Sequence, residues 1–175
     1  VGQLTALSVL YLYNNQLTGS LLPGTFSDLT NVIELLLYDN EFAGTLPAEL
    51  SKMRSLRVML LQNNLLSGTL DGVFNYSAQV SLTTIDISNN ELTGSLVEAM
   101  FLLPRLRVLS LSVNCFEGEL SQSLCSAERV EVLSLNGLRA AEKCEDTTLF
   151  PVSDVALFNT IGGTVPLCVW SLRNL

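Results

Sequence analysis

The chain contains no histidine at all. Serine–histidine and cysteine–histidine nucleophile pairs, and histidine-ligated metals, are therefore excluded within it. Basic residues are scarce as well: 9 Lys and Arg stand against 17 Asp and Glu, for a net charge of −8. Nucleic acid and anionic membrane both reward clustered Lys and Arg, so neither is expected as a partner. Although 48% of the residues are apolar, no run approaches the roughly 18 uninterrupted apolar residues of a membrane helix. Glu34, for example, divides Val32 and Ile33 from the stretch Leu35 to Tyr38. No basic-then-apolar leader opens the chain, and direct membrane insertion by this segment is not expected. A phosphate-cradling glycine loop with its lysine, a kinase signature and a C-x-x-C pair are also missing. Glu142, Glu145 and Asp146 lack the alternating oxygen ligands of a calcium loop. No catalytic residue, metal or cofactor is expected.

What the chain does have is a period. Asn15, Asn40, Asn64, Asn90 and Asn114 follow one another at intervals of 25, 24, 26 and 24 residues. Each Asn has leucine-type residues at −8, −5, −3 and +2, and a glycine at +4. A fixed period of this size marks a stacked repeat array, which offers one long curved surface rather than a deep cleft. Inside each block the spacing L-x-x-L-x-L alternates at period two, the pattern of a short strand with one buried face. Leu10/Leu12, Leu35/Leu37, Met59/Leu61, Ile85/Ile87 and Leu109/Leu111 are the inward pairs. One strand per coil in a common register makes a parallel sheet, and the rest of each unit supplies the crossover that parallel neighbours need.

The five asparagines are expected to be buried where the chain leaves the strand. A buried amide must be satisfied, and stacked amides can bond the backbone of their own and adjacent coils as a ladder. Gly19, Gly44, Gly68, Gly94, Gly118 and Gly163 mark a tight bend or close approach between coils. Pro47 and Pro166, each three residues after such a glycine, begin the convex return.

The units NEFAGTLPAELSKMRSL (residues 40–56) and NELTGSLVEAMFLLPRL (residues 90–106) resemble the plant-type leucine-rich repeat, L-x-x-L-x-L-x-x-N-x-L-[ST]-G-x-[IL]-P-x-x-L-x-x-L. The resemblance covers residues 4 to about 127 strongly and 155–175 weakly. Asp71, Val97 and Ser121 replace the motif's proline in three units, and Leu22 is one extra residue before Pro23. The resemblance implies an α/β repeat solenoid, a right-handed arc with one short parallel strand per coil on the concave face. Its convex side would be 3-10, loop or short helix. It also implies the ectodomain of a receptor-like kinase or receptor-like protein, which binds a protein or peptide ligand, with a co-receptor as a further partner. Alternatives on the same repeat are a secreted inhibitor and an intracellular scaffold. Both chain ends would expose an unfinished core where arrays normally carry polar caps, so a segment of a longer protein is expected.

Three parts follow from the period: five regular repeats over 1–127, a degenerate sixth over 128–154, and a partial seventh over 155–175. Val130, Leu133 and Leu135 give a sixth strand, but Leu138 stands where the ladder Asn belongs. The strand of the seventh unit, Val155 and Leu157, is out of step by one. All four cysteines, Cys115, Cys125, Cys144 and Cys168, lie in this C-terminal third. An even number clustered where the period fails favours disulfides in an oxidising compartment, with four free thiols as the alternative. Three pairings can be drawn. Cys115 with Cys125 would have to cross the core of its own coil, and Cys115–Cys144 with Cys125–Cys168 is the pairing expected. Asn75-Tyr76-Ser77 is the one N-x-[ST] sequon, in the unit with two extra residues. Asn75 is a glycosylation candidate on an exposed loop if the chain is secreted.

Residues between the inward positions should face the concave side. One column runs Tyr11, Leu36, Leu60, Asp86, Ser110, Ser134, and the next runs Tyr13, Tyr38, Gln62, Ser88, Ser112, Asn136. The flanking column is Val9, Glu34, Val58, Thr84, Val108, Val132. An exposed aromatic and aliphatic patch marks an interaction site, and tyrosine supplies rigid area with a polar tip. Tyr11, Tyr13, Leu36, Tyr38, Leu60 and Gln62 are therefore the expected ligand-binding residues. The alternative is that these side chains shield strand edges or meet a neighbouring domain.

Overall fold

The computed structural model describes residues 3–137, 144 and 164–171. Expectations for Leu138, for residues 139–154 other than Cys144, for the strand at Val155 and Leu157, and for Gly163 lie outside them.

Each of the first five coils carries two strands. These are β1 (Val9–Tyr11) and β2 (Thr18–Ser20), β3 (Glu34–Leu36) and β4 (Glu41–Thr45), β5 (Val58–Leu60) and β6 (Leu65–Gly68), β7 (Thr84–Asp86) and β8 (Glu91–Gly94), β9 (Val108–Ser110) and β10 (Cys115–Phe116). The sixth coil has β11 (Val132–Ser134). β1, β3, β5, β7, β9 and β11 form a six-stranded parallel sheet. Its register sets Leu10, Leu35, Met59, Ile85, Leu109 and Leu133 side by side. This is the concave sheet that period two predicts.

The second sheet, β2, β4, β6, β8 and β10, goes beyond the one strand per coil expected from sequence. Four of its strands, β2, β4, β6 and β8, contain a repeat glycine, which Cβ-based strand propensity disfavours. Gly68 shows why no other residue serves. Its φ is +76°, and a Cβ there would sit 2.7 Å from Thr45 Cγ2 of the preceding coil. The return segments are short helices α1 (Pro23–Phe26) and α2 (Glu98–Phe101), with 3-10 turns at Ala48–Lys52 and Gln122–Ser126.

Between sheet and return lies one continuous apolar core. Leu35, Met59, Leu61, Ile85, Ile87, Leu109 and Leu111 are fully enclosed, each contributing about 1.5–3 kcal/mol by leaving water. Leu10 and Leu12 of the first coil are only half-buried.

The asparagine ladder closes the polar side of this core. Asn90 Nδ2 donates to Ile87 O in its own coil (3.2 Å) and to Leu61 O in the coil before (3.0 Å). Its Oδ1 accepts from Leu66 N at 3.0 Å. Asn40, Asn64 and Asn114 repeat the arrangement. Asn15 corrects the expectation of burial. It bonds Leu12 O and Tyr13 O of its own coil and is exposed, because no coil precedes it among the described residues.

A second column was not anticipated. The residue before each ladder Asn is left-handed: Asn14, Asp39, Asn63, Asn89 and Val113 have φ between 50° and 57°. Asn and Asp tolerate this region, whereas a β-branched residue is strained there. Their side chains also stack, Asn63 Nδ2 donating to Asp39 Oδ1 (2.5 Å) and Asn89 Nδ2 to Asn63 Oδ1 (2.8 Å). The recurring NN and DN dipeptides were the available signal.

Candidate functional site

The concave sheet holds the expected residues in adjacent register, Tyr11 beside Leu36 and Leu36 beside Leu60. Tyr13 and Tyr38, just past their strands, lie stacked, with ring centroids 4.6 Å apart and planes within 6°. Tyr11 leans on Tyr13 at 6.0 Å with a tilt of 54°. An aromatic pair of this kind adds about 0.5–1.5 kcal/mol beyond the area it buries, so the rings form a preorganised cluster.

Exposure is less uniform than the sequence implies. Tyr11 and Tyr13 keep 49% and 37% of their surface, while Leu36, Tyr38, Leu60 and Gln62 are half-buried. The reason is lateral crowding, since each of the latter has a coil on both sides. Gln62 departs further from expectation: its Oε1 is enclosed and accepts no hydrogen bond, so it is not presented as a ready contact.

Glu34, placed in the flanking column, belongs to the cluster, because the Tyr11 hydroxyl donates to its carboxylate. That bond, then desolvation and the Glu34 charge, hold the Tyr11 hydroxyl above its ordinary pKa. Desolvation first, then Tyr13 and the Asp39 charge, do the same for Tyr38.

The other half of the face is polar. Asp86 accepts from Ser88 N at 3.0 Å and Ser88 Oγ at 2.6 Å. The Ser112 and Ser134 hydroxyls are 2.6 Å apart, and both lie 2.8 Å from Asn136 Oδ1.

The cysteines lie toward the C-terminal end. Cys115 of β10 is bonded to Cys144 with Cα atoms 5.2 Å apart. Cys125, in the 3-10 turn Gln122–Ser126, is bonded to Cys168 in the 3-10 turn Leu167–Ser171 across 5.5 Å. Both spans fall in the ordinary disulfide range. Asn75 is exposed, with Oδ1 accepting from Ser77 N (3.0 Å) and Ala78 N (3.2 Å). Beneath it the buried Gln79 accepts from Asn75 N and donates to Leu50 O, pinning the turn to the core.

Two parallel sheets, an asparagine ladder and left-handed glycines, repeated coil after coil, are the architecture that the Leucine Rich Repeat family model describes, and that model matches residues 6–29, 81–103 and 105–127. The chain belongs to the plant-type leucine-rich-repeat family. Among curated relatives of this leucine-rich-repeat chain, Receptor-like protein 39 of Arabidopsis thaliana is 31% identical over 130 residues, covering 73% of the chain. Receptor-like protein 35 of the same plant is 34% identical over 162 residues, covering 90%. The chain spans only 14% and 16% of the length of those two proteins. Among solved structures, the ectodomain of the Arabidopsis receptor kinase HAESA, in complex with an IDA peptide hormone, superposes with a TM-score of 0.71 at 30% identity. It covers 77% of this chain and 22% of that one. The plant peptide hormone receptor RGFR1, in complex with RGF2, gives a TM-score of 0.70 at 28% identity, covering 77% and 21%.

Proposed function

We propose that this leucine-rich-repeat array is a non-enzymatic recognition module that binds a protein or peptide ligand on its concave face, at the Tyr11/Tyr13/Tyr38 end, as part of an extracellular receptor. The observation that carries the reading is the preorganised tyrosine cluster, left exposed on a registered sheet beside half-buried Leu36 and Leu60. Stacked rings lose little conformational freedom on binding, and buried aromatics dominate interface energetics. Relatives named as receptor-like proteins and neighbours solved with peptide hormones support a ligand of this class. One neighbour, HAESA with IDA, also holds the co-receptor SERK1, and a co-receptor is proposed as a further partner here.

Two disulfides and an exposed sequon at Asn75 support an extracellular setting. No helix among the described residues is long and apolar enough to cross a membrane, so any anchor of the receptor would be a separate element. The division into five regular repeats, a degenerate sixth and a partial seventh is part of the same proposal. A recess is lined by Thr5, Ala6, Ser27, Asp28, Thr30 and Asn31, where the Ser27 hydroxyl donates to Pro23 O and the Asn31 amide to Thr5 O.

The test is selection of binders from a displayed random dodecamer peptide library on the immobilised chain, followed by affinity measurement on variants. Tyr11→Ala, Tyr38→Ala and Leu60→Ala should each weaken the selected peptides by tens-fold, since hot-spot truncations cost about 2 kcal/mol or more. Ser110→Ala and Ser134→Ala should change little. The opposite pattern would move the site to the serine end.

A further inference from the structure

Charge on the concave face is one-sided. Glu34 stands at the entrance of β3 and Asp39 at the turn three residues beyond its end, so two carboxylates bracket the tyrosine cluster. Asp86 stands one coil past Leu60, in the column of Tyr11 and Leu36. Each is held by neutral donors: Glu34 by the Tyr11 hydroxyl, Asp39 by the Asn63 amide, Asp86 by Ser88. Among the described residues no lysine or arginine pairs with any of the three. The described ion pairs lie elsewhere, Lys52 with Glu49 and Arg107 with Glu131. In the first three coils the basic residues are Lys52 in a convex turn, Arg54 just after it, and Arg57 before β5. The formal charge that this patch has to spare is negative, beside the Tyr13 and Tyr38 hydroxyls, which can donate as well as accept.

We infer that the ligand is a peptide segment carrying at least one arginine or lysine beside an apolar residue, whose cation sits between the Glu34 carboxylate and the face of Tyr11, with Asp39 closing the far side. This rests on the recognition reading above and gives its ligand a chemistry. Tyr11 keeps 49% of its surface and is tilted against Tyr13 rather than stacked on it, which leaves ring area for a cation–π contact, and the hydrogen-bonded carboxylate beside it supplies the formal charge. An acidic or sulfated segment would instead meet uncompensated like charge.

The same library selection tests it through the composition of the winners. Arginine and lysine should be enriched over the unselected library. A synthetic copy of the leading peptide should lose about tenfold in affinity, within the range of a cation–π contact beside a carboxylate, when its arginine is replaced by uncharged citrulline. The double variant Glu34→Gln/Asp39→Asn should lose a similar factor. Asparagine already occupies the left-handed position at residues 14, 63 and 89, so Asp39→Asn keeps the turn, and Glu34→Gln keeps an acceptor for Tyr11. Winners that need Tyr38 but show no basic enrichment, or that ignore the two neutralised carboxylates, would overturn the cation site and leave recognition at the tyrosine end standing. Failure to select any binder, or winners indifferent to Tyr38→Ala, would overturn both.

Discussion

The two ends of the concave face share one scaffold and treat their polar atoms in opposite ways. At the serine end Asp86 is satisfied by Ser88, and the Ser112 and Ser134 hydroxyls gather on the Asn136 amide oxygen, their two protons shared among three contacts. At the tyrosine end a Gln62 oxygen is enclosed without a donor, and half-exposed rings stand beside carboxylates that no cation among the described residues neutralises. A surface whose groups already satisfy one another gains little from a ligand, whereas one with unneutralised charge and exposed apolar area has interaction free energy in reserve. Because the backbone is the same in both, the difference is a matter of side chains on a fixed frame.

If the frame is common, core truncation must cost the same under either end. Leu37→Ala and Leu111→Ala remove side chains that are 2% and 0% exposed, and each should cost about 2–5 kcal/mol through lost burial and the cavity left behind. Denaturant midpoints for the two variants measure this, and a gap of several kcal/mol between them would show that the ends are not equivalent scaffolds. The ladder gives a smaller version of the same test. Asn90→Ala leaves the enclosed Leu66 N–H without its bond and takes one of two from the Leu61 carbonyl, which keeps Asn64 Nδ2, at about 1–3 kcal/mol for the stranded group. Asn15→Ala, exposed and bonded only within its own coil, should cost about 1 kcal/mol or less. Equal losses would mean that inter-coil bonding is not what the ladder contributes.

Much of this frame was legible because it is written one residue at a time. Leu35, Met59 and Ile85 declare an inward strand by period two, and Asn40, Asn64 and Asn90 declare the turn by recurrence. The second sheet was not legible. Its strands are two to five residues long and include glycines such as Gly44 and Gly68, and they exist only because a neighbouring coil lies at bonding distance. The tyrosine cluster was legible as a composition but not as a geometry. Stacking of Tyr13 on Tyr38, half-burial of Leu36 and Leu60, and recruitment of Glu34 by Tyr11 all depend on side chains from adjacent coils meeting across the sheet. The left-handed column was readable in the NN and DN dipeptides and went unread, and it exposes Val113 as the residue out of place.

Val113 sits on the serine side at φ +53°, where the other coils have Asn or Asp, and Gly137 follows at φ +60° in the sixth. Strain at a non-glycine left-handed position is of order 1 kcal/mol or more. Val113→Asn should relieve it and place an amide next to Asn89, whose own amide already donates to Asn63. A gain of about 1 kcal/mol, read as a higher denaturant midpoint, is the expected outcome. A loss would show that the Val113 side chain packs well enough to outweigh its backbone.

The smallest effect addresses the comparison itself. Replacing a lone enclosed acceptor by an apolar group of similar shape is near neutral or stabilising, whereas deleting one member of a satisfied set costs about 0.5–1.5 kcal/mol. Gln62→Met removes the orphaned Oε1 and keeps the volume, so the folded chain should be unchanged or up to about 1 kcal/mol more stable. Ser112→Ala removes a buried hydroxyl that reaches both Ser134 and Asn136, and should lower stability by about 1 kcal/mol. Equilibrium denaturation of the two variants alongside the parent chain gives the signs directly. Opposite signs separate a face with unmet bonding from one that has closed on itself. If Gln62→Met destabilises as much as Ser112→Ala, the Gln62 amide is already satisfied in solution, and the tyrosine end holds only its rings and carboxylates in reserve for a ligand.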